Sequence, residues 1–159
     1  MISDAERIRA ETVFDVVVSM PHSGTRTLVK TLGFPNPPGT SGSWWHFGTH
    51  DALMRHWRIK AHIPIRHPLM VAQSWASRQK TGDVLRSMLS RYAKMFEYID
   101  NKHNGYLFYR IEDYPVLAGS GEYSTRPNKS VLITKFKSAV EEQVIAPHRD
   151  FFKRFYEDI

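Results

Sequence analysis

The sequence predicts a single α/β domain: a mostly parallel central sheet with helices on both faces, in three layers. Three observations lead there. Strand-like and helix-like segments alternate along most of the chain, the pattern of parallel strands joined by helical crossovers. Residues 13–18 are near-continuously apolar and β-branched, as in a central strand buried on both faces. Val84, Leu85, Met88, Leu89, Tyr92, Met95, Phe96 and Ile99 recur at helical spacing and mark one long helix with a core-facing stripe.

The elements follow in order. Residues 2–12 are polar and read as a short helix or loose arm, so the domain proper starts at 13. After the first strand comes the loop Met20-Pro21-His22-Ser23-Gly24-Thr25-Arg26-Thr27, and a helix from Thr25 to Leu32 that ends near Gly33. Residues 35–43 hold three prolines and two glycines and read as loop. Residues 44–47 make a short second strand, and Asp51 can cap a short helix through Trp57. Residues 58–65 alternate and form the third strand, with Arg66 at its C-terminal end. Pro68 suits the first turn of the next helix, which carries Val71, Ser74 and Trp75 to about Lys80. Residues 81–83 break and recap the chain before the long helix. Residues 106–109 are a fourth strand, 115–130 are loop, and the tail from Thr134 is helical with an interruption at Pro147. No repeat or low-complexity tract occurs.

Composition narrows the chemistry. The 159 residues fit one domain, and a hydrophobic share of 42% is enough to bury a core. The absence of cysteine excludes disulfides, thiolate metal sites and cysteine nucleophiles. A formal net charge of +6 favours anionic ligands without choosing among them. The first twelve residues lack the apolar stretch of a secretory signal, and no run is long enough to span a bilayer. The expectation is a soluble, cytoplasmic protein with no membrane or nucleic-acid partner.

In parallel sheets ligands sit beyond the C-terminal strand ends. Both the loop at 20–27 and Arg66 fall there. A phosphate at a helix N-terminus meets unpaired amides and the positive end of the helix dipole. Gly24 allows close backbone approach; Ser23, Thr25 and Thr27 offer hydroxyls; His22 and Arg26 offer charge. The segment is not the G-x-x-x-x-G-K-[ST] loop of ATPases and GTPases. Aligned on Gly24, the lysine position holds Thr25 and the magnesium-binding hydroxyl position holds Arg26.

Residues 21–26, Pro-His-Ser-Gly-Thr-Arg, resemble the P-K-S-G-T-T loop of sulfotransferases. In that family the loop binds the 5′-phosphosulfate of 3′-phosphoadenosine 5′-phosphosulfate (PAPS). Arg66-His67-Pro68, followed by Ser74, is similar to the family's R-x-P-x-x-x-x-x-S segment, whose arginine and serine bind the 3′-phosphate. Arg110-Ile111-Glu112-Asp113-Tyr114 is similar to R-Y-E-D-L and reads as a charged strand exit. The resemblance covers residues 13–114. It implies a P-loop-type fold and sulfuryl transfer from PAPS, leaving 3′,5′-ADP, to a hydroxyl or amine of a small-molecule or glycan acceptor. It assigns His22, Ser23, Gly24, Thr25, Arg26 and Thr27 to the phosphosulfate, and Arg66 with Ser74 to the 3′-phosphate. The nearest counterpart of the family's R-K-G segment is the basic loop at 126–130. Two departures remove positive charge: His22 replaces the loop lysine, and Gly48 replaces the lysine of the family's K-T-H-like segment.

That second segment suggests the base. Thr49-His50 matches it, so His50 is the expected general base, with His46 as rival. His67 could flank the 3′-phosphate or lie on the surface. His56, His62, His103 and His148 read as background, and Trp44 and Trp45 as core packing. His46 and His50 have a metal-pair spacing, but on a strand and turn, so no metal is expected. Two rival functions remain: a P-loop phosphotransferase using ATP and Mg²⁺, and a nucleotide-binding protein without chemistry.

Overall fold

The computed structural model describes residues 12–37, 44–78, 84–101, 105–114 and 130–159. They run β1 (Phe14–Ser19), α1 (Thr25–Leu32), β2 (Trp44–His46), α2 (Asp51–His56), β3 (Ile59–Ile65), α3 (Pro68–Arg78), α4 (Val84–Asn101), β4 (Tyr106–Arg110), a 3-10 turn (Ile111–Asp113), α5 (Ser130–Val140), a π-helical segment (Glu141–Ile145) and α6 (Arg149–Lys153). The expected elements are all there, most with ends moved by one or two residues. The exception is α5, which begins four residues early. The expected arm up to residue 11, residues 38–43 of the first loop, the end of the helix after residue 78, the turn at 81–83 and residues 115–129 of the loop expected at 115–130 lie outside the described residues.

The four strands form one all-parallel sheet in the order β2-β1-β3-β4. Ser19 of β1 stands opposite His46 of β2, and the β1–β3 ladder runs from Phe14↔Ile59 to Val17↔His62. It stops there for a chemical reason. The Ala61 amide donates to Gly105 on the β4 side. By alternation Lys60, His62 and residue 64 face β1. Residue 64 is proline and has no N–H to give, so β1 and β3 part beyond His62. The pairing thus ends short of the sheet's C-terminal edge.

One sheet face carries the main core. Val16 and Val18 of β1 and Ile59, Ala61, Ile63 and Ile65 of β3 pack with Trp75 of α3, Met88 and Tyr92 of α4, Phe136 of α5 and Phe152 of α6. On the opposite face Val17 of β1 and Leu28 of α1 are fully buried outside that cluster. β2 pairs over only three positions. Each ladder bond contributes about 0.5–1.5 kcal/mol, whereas truncating a buried large aromatic costs about 3–5 kcal/mol. Buried Trp45 and Phe47 therefore hold β2 more than its ladder does. Trp44 departs from the expected core role: its side alternates outward and it is 41% exposed.

Gly33 ends α1 in the left-handed conformation, its amide bonded to the Val29 carbonyl at 2.9 Å. Asp51 does not cap α2. It is the first helical residue, and its Oδ1 accepts the Gly48 amide at 3.1 Å. Gly48, at φ 82, turns that amide toward the carboxylate. No helix among the described residues is long and apolar enough to cross a membrane.

Candidate functional site

The strand order creates a switch point between β1 and β3. The chain leaves β1 toward β2 on one side, and leaves β3 toward β4 on the other. Ligands at such points sit at the C-terminal strand ends, and here the β1–β3 register ends at Val17↔His62. The loop after β1 and Arg66 after β3 meet there. Arg66 Nη1 donates to the His22 carbonyl at 3.0 Å. His22 Nδ1 lies 3.0 Å from Ser74 Oγ, and Trp75 Nε1 donates to the Pro21 carbonyl at 3.1 Å. Ser74 sits two turns into α3 and is buried. The predicted residues His22, Arg66 and Ser74 are thus brought into one cluster, far apart as they are in sequence.

The loop is held in an uncommon conformation. His22 has φ 71 and Gly24 has φ 92. A β-carbon at position 24 would stand 2.2 Å from Ile111 Cγ1, so Ile111 packs directly on the glycine. Gly24 is also the N-cap of α1, and no side chain caps that helix. Its first-turn amides are the donors an anion can use. The hydroxyls are directed elsewhere: Ser23 Oγ donates to the Met20 carbonyl, and Thr25 Oγ1 lies 2.7 Å from Ser19 Oγ. Thr27 is buried and Arg26 is exposed. The site therefore offers backbone amides and a guanidinium ahead of hydroxyls.

The 3-10 turn after β4 braces this end of the sheet. Glu112 Oε1 accepts the His67 amide at 2.9 Å, and Oε2 accepts the Tyr156 hydroxyl at 2.8 Å. His67 caps α3: its Nδ1 accepts the Leu69 amide at 3.2 Å, leaving Nε2 to donate to Asp158 at 3.1 Å. Both ring nitrogens are engaged, and the residue serves the fold.

The two candidate bases flank the turn after β2: His46 ends the strand and His50 precedes α2. Phe47 N donates to the Ser19 carbonyl at 3.0 Å, which keeps the turn beside the loop. The His46 amide donates to His50 Nδ1 at 2.9 Å. Arg91 of α4 reaches in, with Nη1 donating to the Phe47 carbonyl at 2.8 Å and to Thr49 Oγ1 at 2.6 Å. Its stem lies against Gly48. A cation thus stands against Gly48. Burial, the neighbouring His50 and Arg91 push the His46 imidazole down to about 4. Burial also lowers Arg91 below the usual guanidinium range, offset in part by Asp51.

Sequence reading missed three features. Arg91 stands three residues after Met88 and four before Met95, on the edge of the apolar stripe, and that offset was the available signal. Ile111 gave none. The third is His62, read as background. It is buried, with Nε2 at 2.8 Å from Asp15 Oδ1 and Nδ1 at 2.7 Å from the Tyr109 hydroxyl, under the Phe34 ring at 4.5 Å. Asp15, charged inside an apolar strand, was the hint that a partner faces it. The basic loop at 126–129 lies outside the described residues. No group of metal-ligating side chains occurs among the described residues.

Fold and site together define an all-parallel α/β protein whose polar side chains gather at the sheet's switch point. In comparison with known proteins, the chain matches no family model, no curated protein and no solved structure.

Proposed function

We propose that the chain is a PAPS-dependent sulfotransferase with a P-loop-type fold. One observation carries the reading: the uncapped N-terminus of α1 and the Arg66–Ser74 pair converge on His22 from the two strands flanking the switch point. These are two anion-binding loci of different chemistry. The α1 amides suit the 5′-phosphosulfate. The Arg66 fork has five donors, one of which it gives to the His22 carbonyl, and it suits the 3′-phosphate together with Ser74. PAPS supplies the activated sulfuryl group. The acceptor oxygen or nitrogen attacks sulfur, the bond from sulfur to the 5′-phosphate oxygen breaks, and that oxygen keeps the electron pair in 3′,5′-ADP. The acceptor's proton passes to a histidine at the end of β2 or at the N-cap of α2. The cation lost at Gly48 is returned by Arg91 from a different element.

A second reading is a nucleotide-binding protein without transfer. It is favoured by His22, which holds the lysine position and is already engaged with Ser74.

Thermal stabilisation separates the readings, since a ligand that binds only the native state raises Tm. The sulfotransferase reading expects 3′,5′-ADP to outperform 5′-AMP and ATP with Mg²⁺. Arg66→Ala should abolish that preference while sparing 5′-AMP. A response to ATP with Mg²⁺ and none to 3′,5′-ADP would sink it. Binding of 3′,5′-ADP without sulfate release from PAPS would select the second reading.

A further inference from the structure

His46, the last residue of β2, and His50, at the N-cap of α2, differ in what their rings can do. A backbone N–H is always a donor, so His50 Nδ1, at 2.9 Å from the His46 amide, must be the acceptor in that bond. The neutral His50 ring then carries its hydrogen on Nε2. Its only basic lone pair is the one already taken by the amide. Freeing it means breaking that bond, one of three hydrogen bonds that tie His46 to Thr49 and His50. A neutral His50 is thus a hydrogen-bond donor at its outer edge.

His46 is in the opposite position. It is half-buried beside Trp44, with ring centroids 5.0 Å apart, and 6.2 Å from the His50 ring. Its strand register places it opposite Ser19, so the two side chains leave the same sheet face about 5 Å apart. Ser19 Oγ in turn lies 2.7 Å from Thr25 Oγ1, on the first residue of α1. His46 therefore stands one side chain away from the helix end assigned to the phosphosulfate. His50, four residues on, is turned back onto the chain.

We propose that His46 takes the acceptor's proton and that His50 is a positioning residue, locked as the Nε2–H tautomer. This rests on the sulfotransferase reading and reverses the sequence expectation for His50. In the step, the acceptor's proton passes to a free lone pair of the His46 imidazole as the acceptor–sulfur bond forms, and the resulting imidazolium later loses it to water. The surroundings suit the task. Burial, His50 from the turn and Arg91 from α4 all disfavour the imidazolium, so His46 stays unprotonated at neutral pH. A bound anion at the α1 N-terminus adds opposite charge nearby and raises its proton affinity toward the working pH. The base strengthens when the donor is present.

The test uses the full chain with ¹⁵N-labelled histidine, titrated by NMR with and without 3′,5′-ADP. The expected results are an Nε2–H tautomer for His50, a His46 that stays neutral well below pH 6, and an upward shift of the His46 midpoint on adding 3′,5′-ADP. An Nδ1–H tautomer at His50 would overturn the assignment. So would a His46 midpoint that 3′,5′-ADP leaves unmoved while the Thr25 and Arg26 amides shift. No amide shift at all would overturn the sulfotransferase reading and the assignment with it. In sulfate release from PAPS with water as acceptor, His46→Gln should lose about 100-fold or more, and His50→Gln, whose amide can both accept and donate, less than about tenfold. The reverse order refutes the assignment.

Discussion

Replacing Gly24 with alanine tests the architecture of the loop, and the structure sets the size of the effect. Two penalties act together. The first is conformational: at φ 92 an L-residue suffers a clash between its β-carbon and the following carbonyl, worth about 1–2 kcal/mol. The second is steric. The new methyl would stand 2.2 Å from Ile111 Cγ1, 2.9 Å from Cδ1 and 3.2 Å from Cβ. The contact reaches the base of the isoleucine side chain, so a swing of its tip cannot relieve it. The 3-10 turn at Ile111–Asp113 must move, at an overpacking cost of about 1–3 kcal/mol. Gly24→Ala should therefore lose about 2–5 kcal/mol in urea unfolding, with an unchanged m-value. Shortening Ile111 to alanine as well should remove most of the steric part, leaving only its Cβ at 3.2 Å, and keep the conformational part. The double variant is then more stable than the two single losses sum to, by at least about 1 kcal/mol. Affinity for 3′,5′-ADP should follow the same order, because the displaced loop is the one that presents the α1 amides. A Gly24→Ala variant within about 0.5 kcal/mol of the parent, or strict additivity in the cycle, would refute the contact.

Two further outcomes follow from buried polar groups. His62→Phe removes the shared partner of Asp15 and Tyr109 while keeping bulk under Phe34, and should cost about 1–3 kcal/mol in urea unfolding; an unchanged midpoint would show that the chain across β1, β3 and β4 contributes nothing. Burial pushes the Tyr98 hydroxyl up to about 12 and raises Tyr92 and Tyr156 further, Tyr156 also through its bond to Glu112. A raised folded value means that the native state binds more protons than the unfolded one above the usual phenol value of 10.0. Their contribution to stability is intact below that pH and declines above it, so the urea midpoint should hold from about pH 8 to about pH 10 and then fall. A midpoint that stays flat to about pH 11 would contradict the burial of these hydroxyls.

Much of the fold was legible because its signals are local. β-Branched runs, the apolar stripe of α4, Gly33 and Pro68 each act within a few residues of themselves, and the structure follows them closely. Asp51 shows the limit of that logic. A cap role depended on which residue begins the helix, and the turn put His50 at the N-cap and Asp51 one place inside, where its carboxylate accepts the Gly48 amide instead. Trp44 and Trp45 show another: adjacent strand positions face opposite sides, and only the cover on each side decides which ring is buried.

By itself the sequence determined the alternation of strands and helices, the glycine that ends α1, and the presence of Arg66 and Ser74 at a strand end and on the next helix. Those depend on local sterics and on spacing along the chain. Tertiary structure alone decided the strand order that puts a switch point between β1 and β3, and so brings Arg66 and Ser74 to His22. It decided that Arg91, distant in sequence, stands at Gly48. It also set the direction of one amide–imidazole bond at His50, which sets His50 apart from His46. Each of these is a meeting of groups from different elements, and no property of either residue taken alone contains it.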